Sequence, residues 1–386
     1  MTADYFSDVE IPGADFETRH RHEALMYNIP KNYSDELLKN SSKFHIAILG
    51  IPEDRNSQNI GSAQAPDKIR EKLYALYKPF DNIRVIDLGN IRQGKTVKDT
   101  YFAVNEVVSD LLAAGIVPVI LGGTQDLVYP VFQAYEKRQN AYNFVSVDAR
   151  FDLDESDNQL DSNSVLSKIV GEKPKFLFNY TNLAYQTYYT PEDDRKLMSD
   201  MYFDTLRLGS LRENIALAEP QIRDADFVNI DMSVIQMNDA PGHYRPSIHG
   251  LYGEEACQIA KYAGMSDKLS AFGIFETNPE YDNRDQTAEL AAQLVWHFIQ
   301  GYYLRQKDYP IAKLKQYRQF IVALESPEDN ITFYQSRRTG RWWIAVPYKI
   351  KKKKHQLIVA CSHEAYMQAE QNEIPDIWWK YYRKLN

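Results

Sequence analysis

Short runs of consecutive apolar residues recur through the first three hundred positions, and helical spacing follows most of them. FHIAILGI (Phe44 to Ile51), NIRVIDLG (Asn82 to Gly89), IVPVILGG (Ile116 to Gly123), YNFVSVDA (Tyr142 to Ala149), TLRLG (Thr205 to Gly209), DFVNIDMS (Asp226 to Ser233) and LSAFGIFE (Leu269 to Glu276) read as strands. Apolar residues on successive rather than alternate positions are what a strand covered on both faces requires. APDKIREKLYALY, with Pro66 near its first turn, and TVKDTYFAVNEVVSDLLAAG, closed by Gly115, read as intervening helices. The alternation predicts an α/β fold in three layers, a mostly parallel sheet with helices on both faces. Ligands of such sheets sit at the carboxyl ends of the strands, so the residues that end each run are the candidate chemistry.

The pattern changes near Tyr309-Pro310. RQFIVALES and ITFYQS read as strands joined by Pro327-Glu328-Asp329-Asn330, and RTG (Arg338 to Gly340) turns into WWIAVPY. KIKKKKHQ (Lys349 to Gln356) then connects to QLIVACS, and a helix or two ends the chain. This predicts a small β-meander with a helical end. Three segments are expected: irregular 1–43, α/β 44–310 and an extension 311–386.

Composition sharpens that boundary. The 386 residues carry a net charge of −8 and are 44% hydrophobic, ordinary values for a globular chain. Up to Pro310 there are 31 Lys+Arg and 46 Asp+Glu, a balance of −15; after it there are 14 and 7, a balance of +7. Four of the five tryptophans, Trp342, Trp343, Trp378 and Trp379, fall in the basic part. Two cysteines, Cys257 and Cys361, supply neither a disulfide framework nor a thiolate metal site. The acidic N-terminus lacks the apolar stretch of a secretion signal, and no window reaches the ~18 apolar residues of a membrane span. A cytoplasmic protein is expected.

The strand ends are specific. One run ends in Gly122-Gly123-Thr124-Gln125-Asp126, another in Asp148-Ala149-Arg150-Phe151-Asp152, another in Asp231-Met232-Ser233, and another in Glu276-Thr277-Asn278-Pro279. Together with GIPED (Gly50 to Asp54) and NIGSAQAPDKIR (Asn59 to Arg70), these segments resemble, in order and spacing, the ureohydrolase superfamily of arginases, agmatinases and formimidoylglutamases, most closely the last. The resemblance spans roughly Phe44 to Tyr309. It implies hydrolysis of a guanidinium or formimino C–N bond by a water bridging two Mn²⁺ ions held by four Asp and two His. Carried over by position, those ligands fall on Gln125, Asp148, Arg150, Asp152, Asp231 and Ser233. Three of the six keep a carboxylate.

This exchange alters the chemistry. A guanidinium cannot be deprotonated and cannot ligate a metal, and Gln and Ser are poor substitutes for imidazole and carboxylate. Metal coordination lowers the pKa of water from ~15.7 to about 7, a change worth on the order of 12 kcal/mol in forming hydroxide. The sequence therefore leans away from catalysis. Arg150 is expected to form a fork-like ion-pair network with the surviving acids and act as a built-in cation. The resemblance also implies a proton-shuttling His after the second motif, yet NYTNLAYQTYYTPED (Asn179 to Asp193) has none. Glu276 survives where the resemblance implies a carboxylate near the substrate's cationic group. His243 and His249, in GHYRPSIHG, read as ordinary loop histidines rather than a rescued metal site.

The leading expectation is a pseudoenzyme of this superfamily with no metal cofactor, a binding or assembly subunit that meets a protein partner or a second copy through its extension. Paired tryptophans, Trp342-Trp343 and Trp378-Trp379, are the expected anchors. The composition disfavours nucleic acid as partner, although Lys351 to Lys354 could meet phosphates. Two alternatives stand beside it: an active amidinohydrolase of formimidoylglutamase type, and a metal-free sensor of a small guanidino or formimino ligand.

Overall fold

The computed structural model describes residues 3–7, 9, 26–31, 43–138, 141–154, 160–172, 176–309, 314–324, 330–351 and 353–386. Most of segment 1–43, Pro310 at the expected boundary, and the Pro327-Glu328-Asp329 turn lie outside these residues. The main sheet contains β1 (Phe6–Ser7), β2 (Ile46–Ile51), β3 (Val85–Ile91), β4 (Val117–Gly122), β5 (Tyr142–Val147), β6 (Leu177–Tyr185), β7 (Asp204–Arg207), β8 (Phe227–Asp231) and β9 (Ala271–Phe275). Their order is β1-β3-β2-β4-β9-β8-β5-β6-β7, and all pairings are parallel except the β1 edge. The segment expected to be irregular thus supplies a strand, with Phe6 opposite Ile91.

Successive strand residues feed opposite layers. Ile46 and Ile48 join the core beneath helices Ala65–Tyr74, Gly253–Met265 and Gln286–Tyr303, while Ala47 and Leu49 join the core beneath helices Val97–Ala113, Val128–Glu136 and Val165–Glu172. Every residue of β2, β3 and β4 is buried, as the unbroken apolar runs of β2 and β4 require, and the polar Asp87 and Asn90 of β3 are satisfied by Arg70. Thr96 starts the second helix with a capping box, its hydroxyl accepting from Asp99 N–H while Asp99 accepts from Thr96 N–H. Strand β6 has no counterpart among the predicted strands. Its buried positions include Asn179, Thr181 and Asn182, so it lacks the apolar run that marks the others.

Strand order decides which ends meet. β4, β9, β8 and β5 are neighbours, so the residues following Gly122, Phe275, Ile230 and Val147 come to one rim although some 150 positions separate Gln125 from Glu276. Close packing there needs glycine. A Cβ on Gly122 would lie 2.1 Å from the Phe275 ring, and one on Gly123 would lie 2.0 Å from the Glu53 carbonyl oxygen.

The extension forms a second, antiparallel sheet in the order β10 (Arg318–Val322), β11 (Ile331–Gln335), β12 (Trp342–Ile350), β13 (Lys353–Cys361). KIKKKKHQ is therefore not a connector: both strands run through it, pairing Lys349 with Lys354. Helices His363–Glu370 and Asp376–Leu385 cover one face around Trp342, Ile344 and Trp378. On the other face, Trp343 lies against the Arg223 guanidinium at 4.6 Å. Arg223 Nη2 donates to Cys361 O at 3.0 Å, and Ala360 N–H donates to Asp224 at 2.6 Å. Lys380 pairs with Asp204 at the β7 edge, and Lys384 donates to Asn179 at 3.0 Å.

These contacts correct the expectation for the tryptophans. Trp342, Trp343 and Trp378 are 8%, 0% and 7% exposed, and Trp378 Nε1 donates to Ala345 O, so they pack the chain against itself. Trp379 alone of the four keeps surface, at 39%. Indole rings bury large apolar areas, and a four-stranded sheet needs such area to be stable. Among the described residues, no helix is long and apolar enough to cross a membrane.

Candidate functional site

The four strand ends enclose a polar pocket of about 40 Å³ with Asp148, Asp152, Asp231 and Glu276 in its wall, together with Arg150, Ser233 and His243. Asp148, Asp152 and Asp231 are 1%, 8% and 7% exposed. Asp152 and Glu276 sit in the left-handed region, at φ 53° and 66°, a conformation that costs a non-glycine residue on the order of 1–3 kcal/mol. Each acid caps its own turn: Arg150 N–H donates to Asp148 Oδ1 at 2.8 Å, and Ser233 N–H donates to Asp231 Oδ1 at 2.7 Å.

Burial, then the neighbouring acids, keep these carboxyls from ionising freely. The Asp148 carboxyl is held well above the ordinary range by burial and by Asp231. Asp152 is held up by burial and by Asp148. Burial, with the charge of Glu276, pushes Asp231 up to about 6. Among the described residues, Asp148 Oδ2 has no hydrogen-bond donor.

Glu276 is the opposite case. Burial raises its pKa, but hydrogen bonding and charge from His243, then the Gln125 N–H and Ser162, outweigh burial and leave it below its usual value. Gln125 N–H and Ser162 Oγ donate to Oε1 at 2.7 and 2.9 Å, and Asn59 Nδ2 donates to Oε2 at 2.9 Å. His243 Nε2 lies 3.5 Å from Oε2. Its Nδ1 accepts Arg245 N–H at 3.0 Å, which places the neutral ring's proton on Nε2, facing Glu276. Burial opposes charging of His243, yet Glu276 and Asp231 raise its pKa overall, while a second proton on Nδ1 would confront the Arg245 N–H.

The loop carrying His243 is tied down through Asn59. Its Oδ1 accepts from Tyr244 N–H at 3.1 Å and from Asn278 Nδ2 at 2.9 Å, while Gly242 N–H donates to Thr287 Oγ1 at 2.7 Å. The motifs around Asn59 and Glu276-Thr277-Asn278 thus hold the His243 loop over the pocket. His243 is 7% exposed and belongs to the site, which corrects its reading as an ordinary loop histidine; His249 is exposed and lies outside it. The signal available in the sequence was a histidine beside Arg245 in a Pro/Gly-bounded loop shortly after the Asp231 strand end.

Two further expectations change. Arg150 makes no ion pair within 4.0 Å among the described residues; its guanidinium lies 4.3 Å from the centre of the Tyr189 ring. The expected fork-like network is replaced by a cation–π contact with Tyr189. Gln125 also turns away. Its side chain donates to Asn229 Oδ1 at 2.9 Å, in a separate small cavity shared with Ser146 and Tyr180. Five of the six carried-over positions line the pocket and Gln125 contributes its backbone N–H. Among the described residues, no group of three or more His, Cys, Asp or Glu side chains is arranged to hold a metal ion.

The Arginase family matches residues 44–300 of the chain. A formimidoylglutamase of Staphylococcus haemolyticus (strain JCSC1435) is 27% identical over 275 residues, 67% of this chain and 87% of its own. The formimidoylglutamase structure from Bacillus subtilis subsp. subtilis str. 168 superposes with a TM-score of 0.67 at 18% identity, over 77% of this chain and 96% of that one. A Trypanosoma cruzi formiminoglutamase with Mn2+2 gives a TM-score of 0.65 at 20% identity, over 69% and 96%. At these identities the two structures establish the likeness of fold.

Proposed function

The chain belongs to the arginase family, and from that premise we propose that it is a pseudoenzyme, a member without the binuclear manganese site that acts as a binding or assembly subunit through its C-terminal extension. The observation that carries this reading is the donor set at the six family positions. Arg150 cannot ligate, Gln125 is engaged with Asn229, and Ser233 offers a neutral hydroxyl. These residues do not fit two Mn²⁺ ions, because three carboxyls beside a guanidinium lack the charge and the imidazoles of the family set.

The state of Glu276 supports the same reading. A carboxylate poised for a cationic substrate needs open valences, whereas Glu276 already has Gln125 N–H, Ser162, Asn59 and His243 around it. The pocket volume, about 40 Å³, also falls well below the ~300–1,000 Å³ of ordinary small-molecule sites.

A second reading, recognition of a small amine or guanidine without hydrolysis, is favoured by Asp148 Oδ2, on the pocket wall, a buried acceptor with no donor among the described residues. Elemental analysis of the purified chain, with assay of ammonia and formamide release from formiminoglutamate, separates the readings. No bound manganese and no release are expected; about two manganese per chain with turnover would establish an active amidinohydrolase. Calorimetry with agmatine and formiminoglutamate tests the sensor reading, and saturable binding without turnover would replace the scaffold reading with it.

A further inference from the structure

Beyond Val346 and Ile358 the β12–β13 hairpin leaves the packed body and becomes a ribbon of lysines. Lys349, Lys351, Lys353 and Lys354 are all exposed; Lys352 lies outside the described residues. Register sets Lys349 directly opposite Lys354. Like charges opposed across an antiparallel pair destabilise it, so sheet formation alone does not explain this composition. From Trp342 to Cys361 there is no Asp or Glu to offset them, and among the described residues none of the four lysines forms an ion pair within 4.0 Å. Beneath them, Tyr348 and His355 stack with centroids 5.4 Å apart.

We propose that this hairpin is a binding site for the phosphate backbone of a nucleic acid. Protein interfaces are depleted in lysine and anchored by Trp, Tyr and Arg. This hairpin has no arginine, and the neighbouring Trp342 and Trp343 are buried inside the chain. A membrane surface asks for a broad apolar face to insert, and the tip offers Ile350 by itself, 52% exposed. Lysine ammonium groups on a two-stranded ribbon suit a run of phosphates, and such a ribbon is admitted by the major groove of duplex DNA.

The acidic body does not prevent this contact. Pro347 to Ile350 spans four residues at ~3.4 Å each, which carries the tip about 14 Å from the last packed pair. The Debye length at physiological salt is about 8 Å, so the body's negative charge is largely screened where the lysines sit. The same screening makes the contact weak and strongly salt-dependent.

The inference rests on the reading of the extension as the binding element, but it fails separately: metal content and turnover decide that reading, and nucleic-acid binding decides this one. Fluorescence anisotropy of a labelled DNA duplex, and of a single strand, titrated with the full chain in 50 to 200 mM KCl is the test. With four phosphates engaged, the log–log salt slope for duplex is expected near −3.6, a loss on the order of 100-fold across that range. The quadruple variant K349E/K351E/K353E/K354E is expected to lose at least ~10-fold at 50 mM while keeping the circular dichroism melt of the parent. The corresponding Lys→Gln variant is expected to fall between the two. Absence of saturable binding at 50 mM overturns the proposal, as does binding that the quadruple variant leaves unchanged. Binding confined to phosphatidylglycerol vesicles, or a salt-sensitive self-association abolished by the same variant, assigns the hairpin to a membrane or a second copy and also overturns it.

Discussion

The pocket at the strand ends and the tip of the β12–β13 hairpin both gather like charges, and they tolerate them by opposite means. In the pocket, Asp148, Asp152 and Asp231 are buried, and burial lifts their pKa values above the ordinary carboxylate range. At the tip, the lysines stand in solvent beyond the packed body, where mobile ions screen their mutual repulsion. The first arrangement gives up charge to remain folded. The second retains charge where a partner can reach it, which makes the tip the better place to look for an anionic partner.

The largest test of this contrast removes the support of the ribbon. Trp343→Ala is expected to cost ~3–5 kcal/mol, since a fully buried indole leaves a cavity between the sheet and Arg223. Differential scanning calorimetry should show the loss in the extension while the main domain keeps its transition. Next, Q125H/R150H/S233D is expected to restore manganese uptake, read by elemental analysis, with wild type taking up none. If the triple variant stays metal-free, the positional assignment of those three residues is wrong.

A smaller effect concerns the acids themselves. Asp148→Asn keeps an acceptor for Arg150 N–H and removes a buried acid, so it is expected to stabilise the chain by ~1–3 kcal/mol at pH 8 in thermal melts. The signs of the pH dependence should also differ between the two regions. Asp231 has a folded pKa raised to about 6, so the folded state binds more protons than the unfolded one between about pH 4 and 6. This contribution to stability is greatest below pH 4 and is lost as pH rises through 6. At the extension's docking helix, burial and then Lys380 lower Lys384 to about 7. Here the unfolded state holds the extra proton above pH 7, so docking strengthens from pH 7 toward 10. Lys380, lowered by burial against the opposing charge of Asp204, acts in the same direction. Melts of wild type and Lys384→Met across pH 7 to 9.5 check the sign; a parallel course in both would remove Lys384 from the account. The smallest effect is Lys354→Glu, expected to stabilise the ribbon by ~0.2–1 kcal/mol through pairing with Lys349.

Much of the body is legible in the sequence. Consecutive apolar residues mark β2, β4 and β8 because both of their faces are covered, and the strand-end motifs carry the family resemblance. Strand β6 was not legible, since its polar Asn179 and Asn182 are satisfied by Asp204 and the Arg150 carbonyl, which only neighbouring segments supply. His243 was misjudged for the same kind of reason: its role depends on Asn59, Glu276 and Arg245, which lie far from one another along the chain or act through backbone groups. Arg150 lines the same pocket as the acids, while its guanidinium lies over the ring of Tyr189, a contact that residue types alone do not reveal.

The sequence alone determined the alternating α/β body, the residue types Gln, Arg and Ser at 125, 150 and 233, and the division into a −15 body and a +7 tail. Those are properties of residue identity and period, which do not depend on who the neighbours are. Tertiary structure decided that the tryptophans pack inward, that His243 closes on Glu276, and that the lysine run extends two paired strands into solvent. Each of these depends on which distant groups share a site, and burial and pairing energies exist only once the chain has brought them together.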